Sequence, residues 1–127
     1  MRKDGMSEII FFFDTYALFE VIRGNPKYQE YRKTTGVTTL FNLAELNYGL
    51  KREISKEKAD KITQNFSSLL VEVTTEDIEE AMSLRIQHRD FSIPDAVGYT
   101  VARRLGIKFL TGDNDFENFP EVEFVKK

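Results

Sequence analysis

Three acidic side chains occupy places where carboxylates could do chemistry together. Asp14 directly follows an apolar, aromatic run at 9–13, and Asp113 follows a second strand-like run at 107–110. Asp95 lies in the first turn of a helix that leads into that second run. Ligands of parallel sheets bind beyond the carboxyl ends of the strands. We therefore expect these acids to meet at one edge of a sheet.

Glu45 is a fourth candidate because its helix is apolar over most of its circumference. It is flanked by Ala44 and Leu46. A carboxylate in such a helix is costly unless it is paired, hydrogen-bonded or bound to metal. The alternative interpretation is a Glu at the helix edge that reaches solvent or pairs with Lys51 or Arg52.

The other acids have structural interpretations of their own, because Asp is a favoured helix cap. Asp14 would cap the helix that follows it, and Asp95 would pair with Ser92 in a capping arrangement. Asp113 and Asp115 would shape a short turn. Taken together, however, such carboxylates repel one another and have raised pKa values. Without adjacent bases, cations are the simplest reason for them to cluster.

The types of side chain available as ligands indicate which cation to expect. The chain has no cysteine and a single histidine. Sites made only of oxygen ligands suit Mg²⁺ or Mn²⁺, and such ions support phosphoryl chemistry by activating and orienting a water molecule. No Ser-His-Asp or Cys-His arrangement is available for covalent catalysis. We interpret His88 as a structural residue on the margin of an apolar stripe.

These motifs resemble those of the PIN-domain nucleases, in particular the VapC-type toxins of toxin–antitoxin pairs. The order of the motifs and the chain length also fit that family. The matching segments are Phe12-Phe13-Asp14-Thr15, Leu43-Ala44-Glu45-Leu46, Ser92-Ile93-Pro94-Asp95-Ala96, Leu105-Gly106-Ile107 and Leu110-Thr111-Gly112-Asp113-Asn114-Asp115-Phe116.

The resemblance implies a catalytic site as well as a fold. By motif position, the catalytic residues are Asp14, Glu45, Asp95 and Asp113. The implied metal ligands are Asp14, Asp95, Asp113 and Asp115, although direct contact of Asp115 with the metal is left open. Thr15 and Thr111 would support the site. The implied reaction is cleavage of single-stranded RNA by a water that Mg²⁺ or Mn²⁺ activates, leaving a 5′-phosphate and a 3′-hydroxyl.

The resemblance also implies partners. VapC-type toxins are commonly homodimers, and a cognate antitoxin protein silences them. Two alternatives remain open at this point. One is a PIN-domain nuclease that acts in RNA processing outside any toxin–antitoxin pair. The other is a catalytically silent scaffold that binds a partner protein.

Strands and helices are expected to alternate from end to end, which is typical of an α/β fold with right-handed crossovers. The expectation is a three-layer α/β/α sandwich around a mostly parallel sheet of about five strands. The predicted strands are Ile9–Phe13, Gly36–Thr39, Leu70–Val73, Ile107–Leu110 and Val122–Val125. The predicted helices are Tyr16–Arg23, Asn25–Lys33, Leu40–Lys51, Ser55–Leu69, Thr74–Asp90, Ser92–Leu105 and Asn114–Asn118.

Composition bounds the class of protein. The 127 residues are 41% hydrophobic and 31% charged, as expected of one soluble globular domain spanning 1–127. The first eight residues are interpreted as a flexible extension, with Met6 an alternative start. The longest apolar run, at 9–13, is far shorter than the roughly 20 residues of a spanning helix. No signal peptide is recognisable, and a cytoplasmic protein without membrane contact is expected.

The net charge of −3 does not suggest a general nucleic-acid binder. Local positive charge for RNA is expected from two dipeptides, each on a helix that carries a proposed ligand. They are Lys51-Arg52 and Arg103-Arg104. The alternative interpretation of each of these cations is a solvated face or an ion pair.

Three other classes fit the sequence poorly. A phosphatase that forms an aspartyl-phosphate needs a second Asp two residues after the first, where this chain has Tyr16. A receiver-like module needs a Lys after the penultimate strand, where Gly112-Asp113 stands. A dinucleotide binder needs Gly-x-Gly-x-x-Gly after the first strand, and that motif is absent.

Overall fold

Strands and helices alternate in the computed structural model, which describes residues 9–127; the expected extension at residues 1–8 lies outside them. The strands are β1 (Ile10–Phe13), β2 (Thr35–Val37), β3 (Lys108–Thr111) and β4 (Val122–Phe124). The α-helices are α1 (Thr15–Ile22), α2 (Leu40–Lys51), α3 (Lys56–Asn65), α4 (Thr75–Gln87) and α5 (Ile93–Leu105). Short 3₁₀ segments cover Pro26–Lys33, Ser67–Leu69 and Asn114–Phe116. Within 9–127, no helix is long and apolar enough to span a membrane.

The four strands form one sheet in the order β2-β1-β3-β4, and every pair in it is parallel. Phe12 of β1 stands opposite Val37 of β2 on one side and Phe109 of β3 on the other. Parallel strands require crossover connections, which the helices provide. The carboxyl ends of β1 and β3, where the proposed site residues follow, are therefore neighbours.

Alternate side chains of the two central strands enter two different cores. Phe12 and Phe109 are fully buried, stack with ring centroids 5.5 Å apart and pack with residues of α4 and α5. Phe13 and Leu110 point the other way and pack with residues of α1, α2 and α3. Burying each such side chain contributes about 1.5–3 kcal/mol. The expected three-layer α/β/α sandwich is confirmed.

The predicted fifth strand is wrong, because Leu70–Val73 makes only one isolated bridge, between Leu70 and Thr38. Backbone groups of this segment and of the residue after it form hydrogen bonds outside the sheet. The carbonyl of Glu72 accepts a hydrogen bond from Arg104 Nη2 at 2.9 Å, and Thr74 already begins the capping box of α4. The sheet therefore has four strands.

Four predicted helices also differ from the structure in extent or type. The predicted helix Thr74–Asp90 ends earlier, at Gln87, and the predicted helix Asn114–Asn118 is a 3₁₀ turn over Asn114–Phe116. The predicted helix Ser55–Leu69 is interrupted: α3 ends at Asn65, Phe66 is its C-cap, and a separate 3₁₀ turn follows. The predicted helix Asn25–Lys33 is present as a 3₁₀ segment from Pro26, with the Asn25 side chain accepting from the backbone N–H of Lys27. None of these differences changes the layers.

Helix α5 is held close against the sheet and begins at the edge where the candidate site lies. A Cβ on Gly98 would lie 2.8 Å from Cε1 of Phe12, so glycine is needed for this close approach. The helix ends at Gly106, whose φ of 70° is in the left-handed region that favours glycine. The chain then enters β3 and returns to the same edge.

Candidate active site

Asp14 is the most buried acid of the candidate site. It follows β1, and only 2% of its surface is exposed. Thr111 Oγ1 donates a 2.7 Å hydrogen bond to Oδ2 of Asp14. The other oxygen, Oδ1, is buried and has no hydrogen-bond partner. Although Asp14 occupies the N-cap position of α1, its side chain makes no capping bond, so the interpretation of its carboxylate as a cap is wrong.

The pKa of Asp14 shows which other acids lie near it. Burial raises this pKa well above its ordinary value, and repulsion from the carboxylates of Asp95 and Glu45 raises it further. The hydrogen bond from Thr111 and the nearby backbone N–H of Thr15 lower the pKa but do not cancel the rise. The fold thus brings three of the four proposed catalytic acids within electrostatic reach of one another. Asp14, Asp95 and Glu45 are called the acidic cluster below.

Asp95 is a helix cap and a member of the acidic cluster at the same time. Its Oδ2 accepts from the backbone N–H of Ser92 at 2.9 Å, and its own N–H donates to Ser92 Oγ at 3.1 Å. The capping interpretation is therefore confirmed. Burial raises the pKa of Asp95 to about 6, with repulsion from Asp113 and Glu45 adding to it and the bonds from Ser92 opposing it. Since Oδ2 serves the cap, Oδ1 is the atom left for a ligand.

Asp113 and Asp115 follow β3 and differ in position. Asp113 is half-buried, and its Oδ1 accepts from the backbone N–H of Asp115 at 2.9 Å. Its own N–H donates to Thr111 Oγ1 at 3.1 Å. Asp115 is exposed, and its pKa is raised by partial burial and by repulsion from Asp113 and Asp90. Asp113 thus adjoins the cluster, whereas Asp115 lies at its rim.

Glu45 is half-buried on α2, and the ion-pair alternative proposed for it is wrong. Lys51 forms its ion pair with Asp60 at 3.0 Å. The guanidinium of Arg52 lies over the ring of Tyr48, 5.7 Å from its centroid. Glu45 instead lies within electrostatic reach of Asp14 and Asp95, whose pKa values it helps to raise.

A buried polar chain behind Asp14 was not foreseen from the sequence. Asn42 is fully buried; its Nδ2 donates to Thr15 Oγ1 at 3.1 Å, and its Oδ1 accepts from Thr39 Oγ1 at 2.7 Å. These bonds join the start of α1 to the start of α2, which carries Glu45. The available signal was a single Asn on the apolar side of a helix, where a polar group must find partners.

The donor set fits a divalent cation with few protein ligands. Within residues 9–127, no three His, Cys, Asp or Glu side chains stand close enough to enclose an ion together. Mg²⁺ usually keeps several waters and takes one or two carboxylates rather than a complete protein cage. The unpartnered Oδ1 of Asp14 is a buried, charged acceptor of the kind such an ion satisfies.

The basic residues proposed to contact RNA occupy very different places. Arg103 and Arg104 lie near the end of α5, about 12 Å along the helix axis from Asp95. Arg104 donates to Asp77 at 2.9 Å, and the structure does not bring either arginine to the acidic cluster. Arg52 is the C-cap of α2, the helix that carries Glu45, and within the described chain it has no carboxylate partner.

His88 lies outside the cluster. Its ring stacks on Phe91 with a centroid distance of 5.3 Å and meets Phe119 edge-on at 4.9 Å. It is also the C-cap of α4. These contacts agree with the structural role expected for it.

Thr111 offers a test of how the site is held. Thr111→Val removes the hydroxyl that donates to Asp14 and accepts from the N–H of Asp113. Outer-shell changes of this kind typically cost about 10–100-fold in metal affinity or activity, so we expect a loss of Mn²⁺ affinity in that range by calorimetry. Thr111→Ser keeps the hydroxyl and is the matched control. Equal Mn²⁺ affinities for both variants would contradict this role.

Comparisons with known proteins place this geometry in a family. The sequence model of the PIN domain matches residues 11–122. The fold is similar to that of the sarcin-ricin loop cleaving toxin VapC20 of Mycobacterium tuberculosis, with a TM-score of 0.74 and 23% identity over 92% of this chain and 99% of that one. It is also similar to a toxin–antitoxin complex from Klebsiella pneumoniae, with a TM-score of 0.71 and 19% identity over 91% of this chain and 98% of that one.

A third similar structure is VapBC2 from Rickettsia felis bound to a DNA fragment from its promoter, with a TM-score of 0.69 and 18% identity over 93% of this chain and 98% of that one. A search of curated protein sequences gives no significant match. At these identities the structural likenesses establish the fold alone. The family model covers nearly all of the chain, and the chain belongs to the PIN domain family.

Proposed function

We propose that this chain is a divalent-metal-dependent endoribonuclease that hydrolyses phosphodiester bonds of RNA. The observation that carries the proposal is the buried, unpartnered Oδ1 of Asp14 beside the carboxylates of Asp95 and Glu45. Membership of the PIN domain family supports a nuclease. The charge of these groups is otherwise unexplained, because burying carboxylates together is unfavourable unless a cation accompanies them.

In this proposal Asp14, Asp95 and Asp113 would together hold Mg²⁺ or Mn²⁺, one or two of them directly and the others through waters of the ion. Asp115 would lie at the rim as a further ligand. The cation would supply charge neutralisation and a lowered pKa for the attacking water. Glu45 orients that water and accepts its proton as a general base. The water oxygen attacks phosphorus and the bond to the 3′-oxygen breaks. The products are a 5′-phosphate and, once the leaving oxygen takes up a proton, a 3′-hydroxyl.

Thr111 and Thr15 serve this site without touching substrate. Thr111 fixes the orientation of the Asp14 carboxylate and the backbone before Asp113. Thr15 receives the bond from Asn42 that joins α1 to α2. Their role is to hold the acids in place, so that little reorganisation accompanies reaction.

The nuclease proposal is tested on RNA in Mn²⁺ with the variants Glu45→Gln and Asp95→Asn. Each removes a charge from the cluster with little change of shape, and we expect at least a hundredfold loss of cleavage rate with the fold retained by circular dichroism. Glu57→Gln, an exposed acid in the first turn of α3, is the matched control. Undiminished cleavage by both cluster variants would exclude the mechanism.

The finer proposal is that the nuclease is the toxin of a type II toxin–antitoxin pair. It is supported by the similar structures, among them VapBC-1 from nontypeable Haemophilus influenzae, with a TM-score of 0.66, since these proteins are toxins or toxin–antitoxin complexes. A protein antitoxin, a homodimeric assembly and a cytoplasmic location belong to the same proposal. The remaining alternative is a PIN-domain nuclease of RNA processing.

Expression of the chain alone tests the toxin proposal. We expect growth arrest on induction, absent for Asp95→Asn at equal soluble yield and relieved when the antitoxin gene is co-expressed. Unimpaired growth with abundant soluble wild-type protein would contradict the toxin assignment. Metal-dependent cleavage by the same purified protein would then favour the RNA-processing alternative.

A further inference from the structure

One exposed face of α2 carries aromatic rings on both sides of Glu45. Phe41, Glu45, Tyr48 and Arg52 are spaced four, three and four residues apart, so they lie on one side of the helix. Phe41 is 37% exposed and Tyr48 is 65% exposed. The opposite side of α2 is buried in the core. The aromatic rings of this face are therefore presented to solvent beside the acidic cluster.

Arg52 is the cation of this face that is free to meet an anion. Its guanidinium lies 5.7 Å from the centroid of the Tyr48 ring. In the part of the chain that the structure describes, Arg52 has no carboxylate partner, whereas nearby Lys51 is paired with Asp60 and Arg23 with Glu20. A polyanion that approaches a cluster of carboxylates needs a positive charge at such a place.

There is room beside Arg52 for a ligand. A depression of about 320 Å³ between α1 and α2 is lined by Phe19, Arg23, Gly49, Arg52 and Glu53. Gly49 is required there, because a Cβ on it would lie 2.5 Å from Cζ of Phe19. From Glu45, Tyr48 is about 4.5 Å and Arg52 about 10 Å further along the helix axis.

We propose that Tyr48 and Arg52 form a binding subsite for single-stranded RNA, in which the Tyr48 ring stacks on a base and Arg52 holds the adjoining phosphate. This inference rests on the proposed nuclease function and goes beyond it by naming where the strand lies. Single-stranded nucleic acids are bound by aromatic rings beside basic groups. A duplex would keep its bases stacked on one another and leave Tyr48 without a partner.

Replacing Tyr48 and replacing Arg52 are expected to change different measured quantities. Tyr48→Ala should raise KM for a short unstructured RNA about tenfold, as loss of one base–aromatic stack does, with little change of kcat. Tyr48→Phe keeps the ring and should behave as wild type. Arg52→Gln should lower the slope of log affinity against log salt concentration by about 0.7, the value for one contact to a single strand.

Controls separate these effects from unfolding and from general charge. Tyr48 is mostly exposed, so its replacement should leave the melting temperature nearly unchanged. Arg32→Gln removes an exposed arginine from the 3₁₀ segment that precedes the amino end of β2. This change should leave the slope of log affinity against log salt concentration unaltered. The full chain is used throughout, with Mn²⁺ for cleavage.

Fluorescence gives a direct readout of stacking, because the chain has no tryptophan. Tyr48→Trp combined with Asp14→Asn, which prevents turnover, should be quenched by an oligoribonucleotide in Mg²⁺ and much less by an abasic oligomer of equal charge. Leu105→Trp, at the far end of α5, should not be quenched. Equal quenching at both positions, or by both oligomers, would overturn the stacking role.

The outcomes of these experiments distinguish failure of the subsite from failure of the proposed nuclease function. Wild-type cleavage with an unchanged KM in Tyr48→Ala and an unchanged salt slope in Arg52→Gln overturns the subsite alone. Variants that act normally on RNA but no longer bind a co-expressed partner protein would make this face a protein interface instead, which also overturns it. No cleavage by wild type in Mn²⁺ overturns the proposed function and the subsite with it. The KM and salt-slope changes together support the subsite.

Discussion

Asp14→Asn is expected to abolish RNA cleavage and at the same time to stabilise the metal-free protein. The two effects have one cause. The Asp14 carboxylate is buried, has an unpartnered oxygen and is repelled by Asp95 and Glu45, so without a cation it is unfavourable to the fold. Asn keeps an oxygen that accepts from Thr111 and removes the charge that Asp95 and Glu45 repel.

The measurements are the cleavage rate in Mn²⁺ and the melting temperature in EDTA. Removal of a direct ligand should lower the rate at least a hundredfold, the upper end of what outer-shell changes cost. The melting temperature should rise, by about 4 °C for each kcal/mol gained in a chain of this length. Asp14→Ala is the informative comparison, since it also removes the charge but leaves Thr111 without its acceptor. A lower melting temperature for Asp14→Asn in EDTA would contradict this account of the site.

Mn²⁺ is expected to stabilise the wild-type protein, and to do so more strongly as the pH rises through about 6. Burial raises the pKa of Asp95 to about 6 and that of Asp14 well above its ordinary value. Carboxylates must be deprotonated to bind metal. At low pH protons therefore compete with the cation, and the competition at Asp95 fades as the pH rises through about 6.

The stability of the metal-free protein depends on pH in the opposite direction. A carboxyl whose pKa is raised by folding favours the folded state while it is protonated, so this contribution to stability is lost as the pH rises from about 4 to about 6. The melting curves with and without Mn²⁺ should diverge over this range. At a Mn²⁺ concentration of about 100 times Kd the gain is about 2.7 kcal/mol, or roughly 10 °C.

Scanning calorimetry at pH 5, 6, 7 and 8, in EDTA and in Mn²⁺, measures this divergence. Asp95→Asn should show a smaller shift with Mn²⁺ at every pH. Asp90→Asn, an exposed acid beside Asp115, serves as the matched control. A Mn²⁺ shift of the same size at pH 5 and pH 8 would be inconsistent with carboxylate ligands of raised pKa.

The fold was predictable to the extent that local pattern and sheet pairing agree. The runs that became β1 and β3 are β-prone, and their apolar side chains, such as Phe12 and Leu110, pack into the cores on both faces of the sheet. The segment Leu70–Val73 is also β-prone but bridges only to Thr38, and the carbonyl of Glu72 is bonded to Arg104 instead of a strand. Such competition from a residue 32 positions away is not visible in a local pattern.

The candidate site was predictable from position and chemistry, and its details were not. The sequence placed Asp14 and Asp113 after two strands of one parallel sheet, and the fold makes those strands adjacent. It did not reveal that Asp95 serves both a cap and the cluster, because the two uses need different oxygens of one carboxylate. Nor did it reveal the Asn42 chain, which depends on two helices meeting.

The most direct test of the central claim is the rate of RNA cleavage measured against Mn²⁺ concentration, with metal binding followed on the same samples. The claim is that the carboxylates beyond β1 and β3 hold the catalytic cation. It predicts no cleavage in EDTA, a rate that rises and saturates together with Mn²⁺ occupancy, and loss of both in Asp14→Asn. Cleavage that persists at the same rate in EDTA, or in folded Asp14→Asn, would contradict the claim.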